Sequence, residues 1–447
     1  MKATVESKGP TEIQLNIEVP PEELAPYRAE TLKRLAKEVK VPGFRKGKVP
    51  AAVLESRIGR EHVSQEMLSD ALPDLYSKAL EEQEIQPLAQ PEIEVTRFAE
   101  NEPLEVTANV QVKPQIDLPE YKGVEVRAPA PRASEEDIDN QLQRIRERHG
   151  TLEAVGRSAD KGDFVSIDLF GFRHGEPIEG ASVEDFVYEV GSARFVPEMD
   201  EHLMGKRAGD IVEFNAKLPP GLGEAGDEGE ATLKIVVKEV QVKKLPELND
   251  EFAKTASEFT TLAELKEDID KRISGHKEKD TDSTIRAMLI ERLLDRTEIP
   301  LPDAMVDKET EIRLGRLIQD LGRNGVTVEQ YLESQGVSRD DLYETYKEAA
   351  KAAVAADLLL EAVARAEEME VTADELQSEI QFLAEQMKQD AQELAANLAN
   401  AGSLTVVAGD ILRRKALDFL VENAVVLDES GGEPLEIKTV EAEAQKG

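Results

Sequence analysis

Apolar and polar residues alternate near the start of the chain in a pattern typical of strands. Every second position of residues 13–19 is apolar, which predicts a strand with one buried face. Pro20 and Pro21 then open a helix, a second helix begins at Pro50, and a third runs through the leucines of residues 68–80. Two more strand patterns close an α+β domain that ends near residue 113, and they occupy residues 93–98 and 104–112.

Residues 114–149 are rich in proline and charge, which predicts an extended arm followed by one helix. Ser134 is suited to cap that helix, because an acidic first turn from Glu135 to Asp137 follows it. Between residues 161 and 242 the pattern changes to short strands separated by glycine turns. These strands are predicted at residues 164–169, 186–190, 211–218 and 231–240.

From residue 245 onward the apolar positions follow helical spacing. They predict helices through residues 252–273, 285–293, 302–322 and 410–426. Two longer seams repeat every three or four positions, through Leu342, Tyr346, Ala349, Ala353, Ala356, Leu360 and Val363, and through Leu376, Ile380, Leu383, Met387, Leu394 and Leu398. The tail from Asp428 contains two glycines and alternating acidic residues, which predicts disorder.

Composition narrows the class of protein. The chain has 447 residues, 33% of them charged and 40% hydrophobic, and the net charge is -37. It has no run of eighteen apolar residues and no apolar secretory signal, so we expect a cytosolic protein. Without cysteine there are no disulfides or thiolate sites, and the five histidines lack metal-ligand spacing, so no metal or other cofactor is implied.

One short loop is basic although the chain as a whole is acidic. Residues 41–50 read V-P-G-F-R-K-G-K-V-P, and the thirty residues around them hold nine basic side chains against two acidic ones. A positive tip on an acidic protein suits a polyanion such as nucleic acid, and Phe44 can stack on a base or fill an apolar pocket. The alternative interpretation is an ordinary solvated turn.

Residues 43–50, G-F-R-K-G-K-V-P, resemble the ribosome-docking signature of the trigger factor family of bacterial chaperones. The resemblance implies docking through Phe44, Arg45 and Lys46, with Gly43 and Lys48 beside them. The implied partners are the ribosome near the nascent-chain exit, through ribosomal protein and rRNA, and unfolded nascent polypeptides. No membrane partner is implied, and off the ribosome the chain would be a monomer or a weak homodimer.

A second resemblance covers the predicted β domain. G-D-F-V-S-I-D-L-F-G at residues 162–171, F-V-Y-E-V-G at 186–191 and F-V-P-E-M at 195–199 resemble FKBP-type peptidyl-prolyl isomerases. The resemblance implies a proline pocket made of Phe186, Tyr188, Phe195, Leu169, Ile178, Met199 and Ile235.

The pocket departs from the family pattern in ways that affect the expected rate. Leu169, Ile178, Met199 and Ile235 stand where the family usually has aromatic rings, and Glu198 replaces a glycine. The pocket stays apolar, so we expect low but measurable isomerase activity. The alternative is a β domain that is retained for binding and catalyses feebly.

The resemblances and patterns together predict a multidomain α+β protein. We expect an N-terminal α+β docking domain (1–113), a linker arm and helix packing with the C-terminal domain (114–149), an FKBP-like antiparallel β domain with a short helix (150–243), an all-α C-terminal chaperone domain (244–428) and a disordered acidic tail (429–447).

Client binding is expected in the helical domain. Most seam residues are interpreted as bundle core, but Leu358 and Leu359 fall off their seam and would leave a second apolar face. Met288, Met305 and Met387 could line an adaptable groove, because methionine repacks around unrelated partners.

The predicted function is an ATP-independent, ribosome-associated chaperone that shelters nascent chains in an open conformation and assists folding and export, with isomerase activity. The alternatives are a free-standing FKBP-type isomerase and a nucleic-acid-binding regulator.

Overall fold

The structure is a computed structural model that describes residues 1–39, 41, 44, 49–99, 102–217, 230–429, 431–432 and 434–435. The described chain divides into two compact units. One contains Met1–Pro129 together with the residues from Asp282 onward, and the other contains Ala130–Thr281. Within the described residues, no helix has both the length and the apolar character needed to cross a membrane.

The N-terminal part is a four-stranded antiparallel sheet with helices packed on its apolar face. Its elements are β1 (Lys2–Ser7), β2 (Glu12–Val19), α1 (Pro21–Glu38), α2 (Ala51–Ile58), α3 (Arg60–Glu82), β3 (Glu92–Arg97) and β4 (Leu104–Gln111), with strand order β1-β2-β4-β3. Leu15, Ile17 and Val19 are buried against Leu75 of α3, so the predicted strand face and the predicted helices are confirmed.

The following arm carries β5 (Glu125–Ala128) and α4 (Glu135–Arg148). The predicted helix start is confirmed, because the Ser134 hydroxyl accepts a hydrogen bond from the Asp137 amide at 3.2 Å and the Asp137 carboxylate accepts one from the Ser134 amide at 2.8 Å. This reciprocal pair satisfies two of the amides that a helix start leaves unpaired. Leu142 of α4 is buried in a small core with Phe252 and Ile269.

The β domain contains β6 (Thr151–Ala154), β7 (Phe164–Arg173), β8 (Glu176–Glu189), α5 (Pro197–Leu203), β9 (Ile211–Lys217) and β10 (Glu230–Lys244). All its strand pairs are antiparallel, in the order β6-β10-β7-β8, and β9 pairs with β10 as well. One apolar core fills the space between this sheet and the short helix α5, as predicted.

The remaining described elements are mostly helical. They are α6 (Asp250–Ala256), α7 (Leu262–Leu294), α8 (Asp303–Arg323), α9 (Val328–Gln335), α10 (Arg339–Ala366), α11 (Ala373–Met387), α12 (Ala391–Asn400), α13 (Leu404–Glu422) and β11 (Val425–Asp428). The fold class is confirmed, with one addition to the helical region. A short parallel pair of β11 with β5 ties the arm to the end of the helices.

The division of the first C-terminal helices was predicted incorrectly. The pattern of residues 252–273 predicts one helix, but α6 ends at Ala256 and α7 starts at Leu262. Ser257 ends α6 by donating from its hydroxyl to the Ala253 carbonyl at 2.7 Å, and Glu264 starts α7 by accepting from the Thr261 amide at 3.0 Å. The polar residues after Ile273 then continue α7 without a break, so the predicted separate helix at 285–293 is part of it.

The predicted faces of α10 also need correction. Ala349 is exposed, whereas its neighbour Ala350 is fully buried with Val354 against α8. Leu358 and Leu359 leave no second apolar face open, because Leu358 packs with Val306 of α8 and Leu359 lies in the core formed with α7 and α13. Helix α10 is covered on two sides, and the sequence pattern of one helix does not reveal its second neighbour.

The seam of residues 376–398 is split between two helices, α11 and α12. Ile380 and Leu394 are buried in one small core, but Met387 at the end of α11 is exposed. Met288 and Met305, which were expected to line a groove, are partly buried and pack against cores of the helical region.

The last predicted helix is also corrected. Helix α13 ends at Glu422, and residues 425–428 form β11. Beyond β11, the Leu435 amide donates to the Val426 carbonyl at 2.8 Å and Leu435 packs on the core, and the disorder expected for residues 429–447 stays a prediction. Residues 436–447 lie outside the described residues.

Candidate functional site

The basic loop between α1 and α2 stands on a small apolar base. Val41 and Val49 at its two ends are buried with Leu35 of α1 and Leu54 of α2. Phe44 is described, and its side chain is 42% exposed. Its amide donates a hydrogen bond to the Val41 carbonyl at 3.2 Å. The other predicted docking residues, Gly43, Arg45, Lys46 and Lys48, lie outside the described residues.

Not every basic side chain near the loop is available to a partner. Arg34 pairs with Glu66 at 2.7 Å and with Asp70 at 2.9 Å, so it holds α1 against α3. These hydrogen bonds raise the pKa of the Arg34 guanidinium and lower the pKa of Asp70. Arg34 was counted in the basic patch from the sequence, but its guanidinium is already paired with Glu66 and Asp70 of the same protein. Lys33 and Lys37 on α1 are exposed.

The structure brings all seven predicted pocket residues into one cluster of the β domain, but at two depths. Four of them are buried in its core, namely Leu169, Tyr188, Met199 and Ile235. The other three are partly buried and pack against that core, namely Ile178, Phe186 and Phe195. The three partly buried side chains are therefore accessible to a ligand, and the other four belong to the core against which they pack.

The aromatic rings of this cluster are in mutual contact. The ring centroids of Phe186 and Phe195 are 6.0 Å apart, and those of Phe186 and Tyr188 are 6.3 Å apart. Such separations are typical of tilted aromatic pairs. Phe186 and Phe195 thus form a continuous apolar wall that solvent still reaches.

Polar groups near the rings were missed by the sequence reasoning. The Tyr188 hydroxyl donates to Asp200 at 2.7 Å, and burial together with this hydrogen bond raises the pKa of Tyr188. Asp168 of β7 accepts a hydrogen bond from the Asp185 amide at 2.9 Å, next to Phe186. Both contacts join a side chain to a residue on another element, and the sequence alone does not reveal such a partner.

The helical region exposes several large apolar side chains. On α8 these are Ile312 and Ile318, and on α11 and α13 they are Phe382, Met387 and Val406. Large exposed apolar side chains are candidates for contact with a partner protein where they lie together. The sequence reasoning named only Met387 from this set.

Comparison with known proteins covers nearly the whole chain. Residues 1–145 match the model described as bacterial trigger factor protein, residues 156–240 match FKBP-type peptidyl-prolyl cis-trans isomerase, and residues 261–422 match bacterial trigger factor protein C-terminus. The trigger factor of Nocardioides sp. is 41% identical over 433 residues, which cover 96% of this chain and 91% of the relative. The trigger factor of Rhodococcus jostii is 39% identical over 431 residues, covering 96% and 92%.

A solved structure supports the same assignment. The structure described as "Promiscuous Substrate Recognition in Folding and Assembly Activities of the Trigger Factor Chaperone" superimposes with a TM-score of 0.56 and 25% identity, covering 94% of this chain and 99% of that one. Sequence and structure therefore agree along nearly the full length, and this chain belongs to the trigger factor family of bacterial chaperones, with an FKBP-type domain at residues 156–240.

Proposed function

We propose that this chain docks on the ribosome near the nascent-chain exit through the loop of residues 41–50 and shelters unfolded nascent polypeptides in the cytosol without ATP. The observation that carries this proposal is the exposed Phe44 in a loop whose ends, Val41 and Val49, are buried. Because both ends of the loop are anchored, ordering it on a partner costs less conformational entropy than ordering a segment with free ends. Arg45, Lys46 and Lys48 add the charge that rRNA would attract.

In this proposal each segment of the chain has its own role. Residues 1–113 dock, the arm of residues 114–149 and the helices of 244–428 hold the client, and residues 150–243 isomerise prolyl bonds. Off the ribosome the protein is a monomer or a weak homodimer. Its clients are open chains, and their binding is weak and fast so that folding and export can proceed.

Co-sedimentation with ribosomes tests the docking step. The triple variant F44A/R45A/K46A is expected to lose co-sedimentation at low salt while its melting curve stays unchanged, because loop residues carry contacts rather than core packing. The parent protein should also leave the ribosome as salt rises, since its basic contacts displace counterions. The variant R97A/F98A is a matched control, because it removes another exposed phenylalanine and its arginine neighbour from the same part of the chain.

The same assay separates the alternatives. If the triple variant co-sediments like its parent, the docking loop is wrongly assigned. No co-sedimentation of the parent at any salt would favour a free-standing isomerase, and equal binding to naked RNA would favour a nucleic-acid-binding regulator.

We further propose that the β domain catalyses prolyl isomerisation at a low rate, with apolar residues favoured before the proline. The barrier to rotation about a peptide bond is about 18–20 kcal/mol, and a water-poor pocket lowers it by fitting the twisted imide better than either planar form. Phe186 and Phe195 are the aromatic walls and Ile178 adds an aliphatic side chain, while the buried Leu169, Tyr188, Met199 and Ile235 belong to the core that supports them.

Replacing Phe186 by alanine tests this assignment. Because Phe186 is only partly buried, we expect the rate on short proline peptides to fall while the free energy of unfolding falls by less than about 3 kcal/mol. Phe170→Ala is a suitable control, since alternation along β7 points Phe170 away from the side of Leu169. Collapse of the melting transition would show that Phe186 is structural, and an unchanged rate with an unchanged melt would exclude it from the pocket.

A further inference from the structure

The carboxylate of Asp200 binds the loop that leads to Phe195. Its Oδ1 atom accepts hydrogen bonds from the Tyr188 hydroxyl and the Gly191 amide, both at 2.7 Å, and its Oδ2 atom accepts one from the Ala193 amide at 2.9 Å. One side chain of α5 thus holds the end of β8 and the turn that follows it. Three donors on one carboxylate make a strong, geometrically defined contact.

The loop that Asp200 holds has a backbone that would not persist alone. Gly191 has φ 91° and Ala193 has φ 50°, and the left-handed region is costly for a residue with a side chain such as alanine. A side chain at Gly191 would also meet Lys161 at 2.7 Å. Such a turn persists where its surroundings define it, and Phe195 follows two residues after Ala193. The position of the Phe195 ring therefore depends on this turn.

A second carboxylate, that of Asp168, holds the backbone next to Phe186. Its Oδ1 atom accepts from the Asp185 amide at 2.9 Å and pairs with Lys238 at 3.0 Å, and Lys238 also pairs with Asp185 at 2.7 Å. Asp185 is left-handed, with φ 55°, and it directly precedes Phe186.

The strands on both sides of Asp168 are irregular. The pairing of β7 with β8 shifts between Ile167 and Leu169, and that of β10 with β7 shifts between Val237 and Glu239. Bulges re-aim neighbouring side chains, and here Asp168 and Lys238 fix the bulge at the residue before a pocket ring.

We propose that Asp200 and Asp168 are positioning residues of the isomerase site, and that Tyr188 serves it through its hydroxyl on Asp200 rather than as a pocket wall. Each carboxylate holds the backbone beside one of the two partly buried rings and so sets their 6.0 Å separation. The inference rests on the proposed isomerase activity. Where several family rings are replaced by aliphatic side chains, the two that remain must be held in place for the twisted imide to be recognised.

Conservative variants of the full chain test the proposal. Tyr188→Phe removes only the hydroxyl, Asp200→Asn and Asp168→Asn remove a charge and an acceptor, and Asp210→Asn is the matched control. Asp210 also accepts a backbone amide, that of Arg207 at 2.8 Å, beside the left-handed Gly209, but its turn carries neither ring. The measurements are kcat and KM on a proline tetrapeptide well below the melting temperature, and the nuclear Overhauser contact between the Phe186 and Phe195 rings in selectively labelled protein.

We expect Y188F, D200N and D168N to lower kcat roughly tenfold or more with a smaller change in KM, and to weaken the ring contact. The double variant Y188F/D200N should lose little beyond D200N, since both act through one contact. D210N should match the parent in both measurements. A purely structural role would lower the melting temperature and leave kcat unchanged below it.

The outcomes of the two proposals are distinguishable. Unchanged kcat and an unchanged ring contact in the three folded variants would overturn the positioning role. An inactive parent protein would contradict the proposed isomerase activity, and the contact between the Phe186 and Phe195 rings would then be the test of the positioning role. Loss of this contact in Y188F and D200N but not in D210N would support the role. Retention of the contact in all variants would overturn the role.

Discussion

Two adjacent residues of α2 have opposite relations to solvent. Leu54 is fully buried between the ends of the basic loop and α1, whereas Val53 lies on the exposed side of the same helical turn. The small core around Leu54 is formed by only a few side chains, so each contributes a large share of its packing. The loop that carries Phe44 is therefore only as well fixed as this base.

Leu54→Ala is expected to lower the free energy of unfolding by about 2–5 kcal/mol, because it removes apolar contacts and leaves a cavity. Val53→Ala, at the neighbouring exposed position, should change it by less than about 0.5 kcal/mol. Chemical denaturation of both variants measures the difference. Equal effects of the two substitutions would mean that the base is looser than the structure shows.

For single residues, the sequence predicted the properties that depend on residue type and on immediate neighbours along the chain. The exposed ring of Phe44 follows from a loop with glycines and prolines around it, and the apolar character of the pocket follows from the residue types. The different depths of Tyr188 and Phe186 did not follow, although both belong to β8. Tyr188 bonds to Asp200 of α5, and the residue before Phe186 bonds to Asp168 of β7, so these contacts join different elements, 12 and 17 positions apart in the sequence.

Helix starts are the elements that the sequence specifies most directly. Thr372 and Glu375 form a reciprocal cap at the start of α11, where Glu375 accepts from the Thr372 amide at 2.8 Å. Lys415 of α13 also pairs with Glu375, at 2.7 Å, so this cap joins two helices as well. The hydrogen bond from Lys415 and that from the Thr372 amide lower the pKa of Glu375 from 4.5 to about 2.

This shift predicts a pH dependence of stability. Because the pKa of Glu375 is lower in the folded protein, its ionised form stabilises the fold fully above pH 4.5, and that contribution is lost as the pH falls to about 2. Glu375→Gln should therefore be less stable than the parent at pH 6, and the difference should disappear towards pH 2. Asp374→Asn controls for charge in the same helical turn. A difference that does not vary with pH would contradict the prediction.

The positions of α8 and α10 were predicted well and the faces of α10 less well, for a reason that α10 itself illustrates. Apolar spacing locates a helix, but α10 packs against α8 on one side and against α7 and α13 on another. A seam placed through Ala349 instead of Ala350 misses the first of these contacts. A small residue such as alanine carries almost no pattern signal, although at a close helix crossing it determines the fit.

At the scale of the whole molecule, the parallel pair of β5 with β11 was not predicted from the sequence. Each strand has only four residues, and the paired residues, such as Glu125 and Val425, are about 300 positions apart in the chain. A strand this short has no period to detect. Because β11 pairs with β5, any helical fragment should include both residues 125–128 and the strand at 425–428.

The arrangement of α11 and α13 leads to a prediction about the whole protein. The two helices are joined by Lys415 to Glu375 and by Arg414 to Glu379 at 2.5 Å. Phe382, Met387 and Val406 lie on these helices and are 53%, 55% and 58% exposed. Apolar side chains this accessible add little to stability, and they can bind the apolar segments of an unfolded client.

The variant F382S/M387S/V406S is therefore expected to suppress the aggregation of a refolding protein less well than the parent, with no ATP present and an unchanged melting temperature. Light scattering at several-fold molar excess of the chaperone measures the effect. The variant V183S/V187S/I211S is the control, because it removes three exposed apolar side chains from the FKBP-type domain. If both variants suppress aggregation equally poorly, clients bind exposed apolar side chains of either domain. If both suppress it as well as the parent, the client surface lies on other residues.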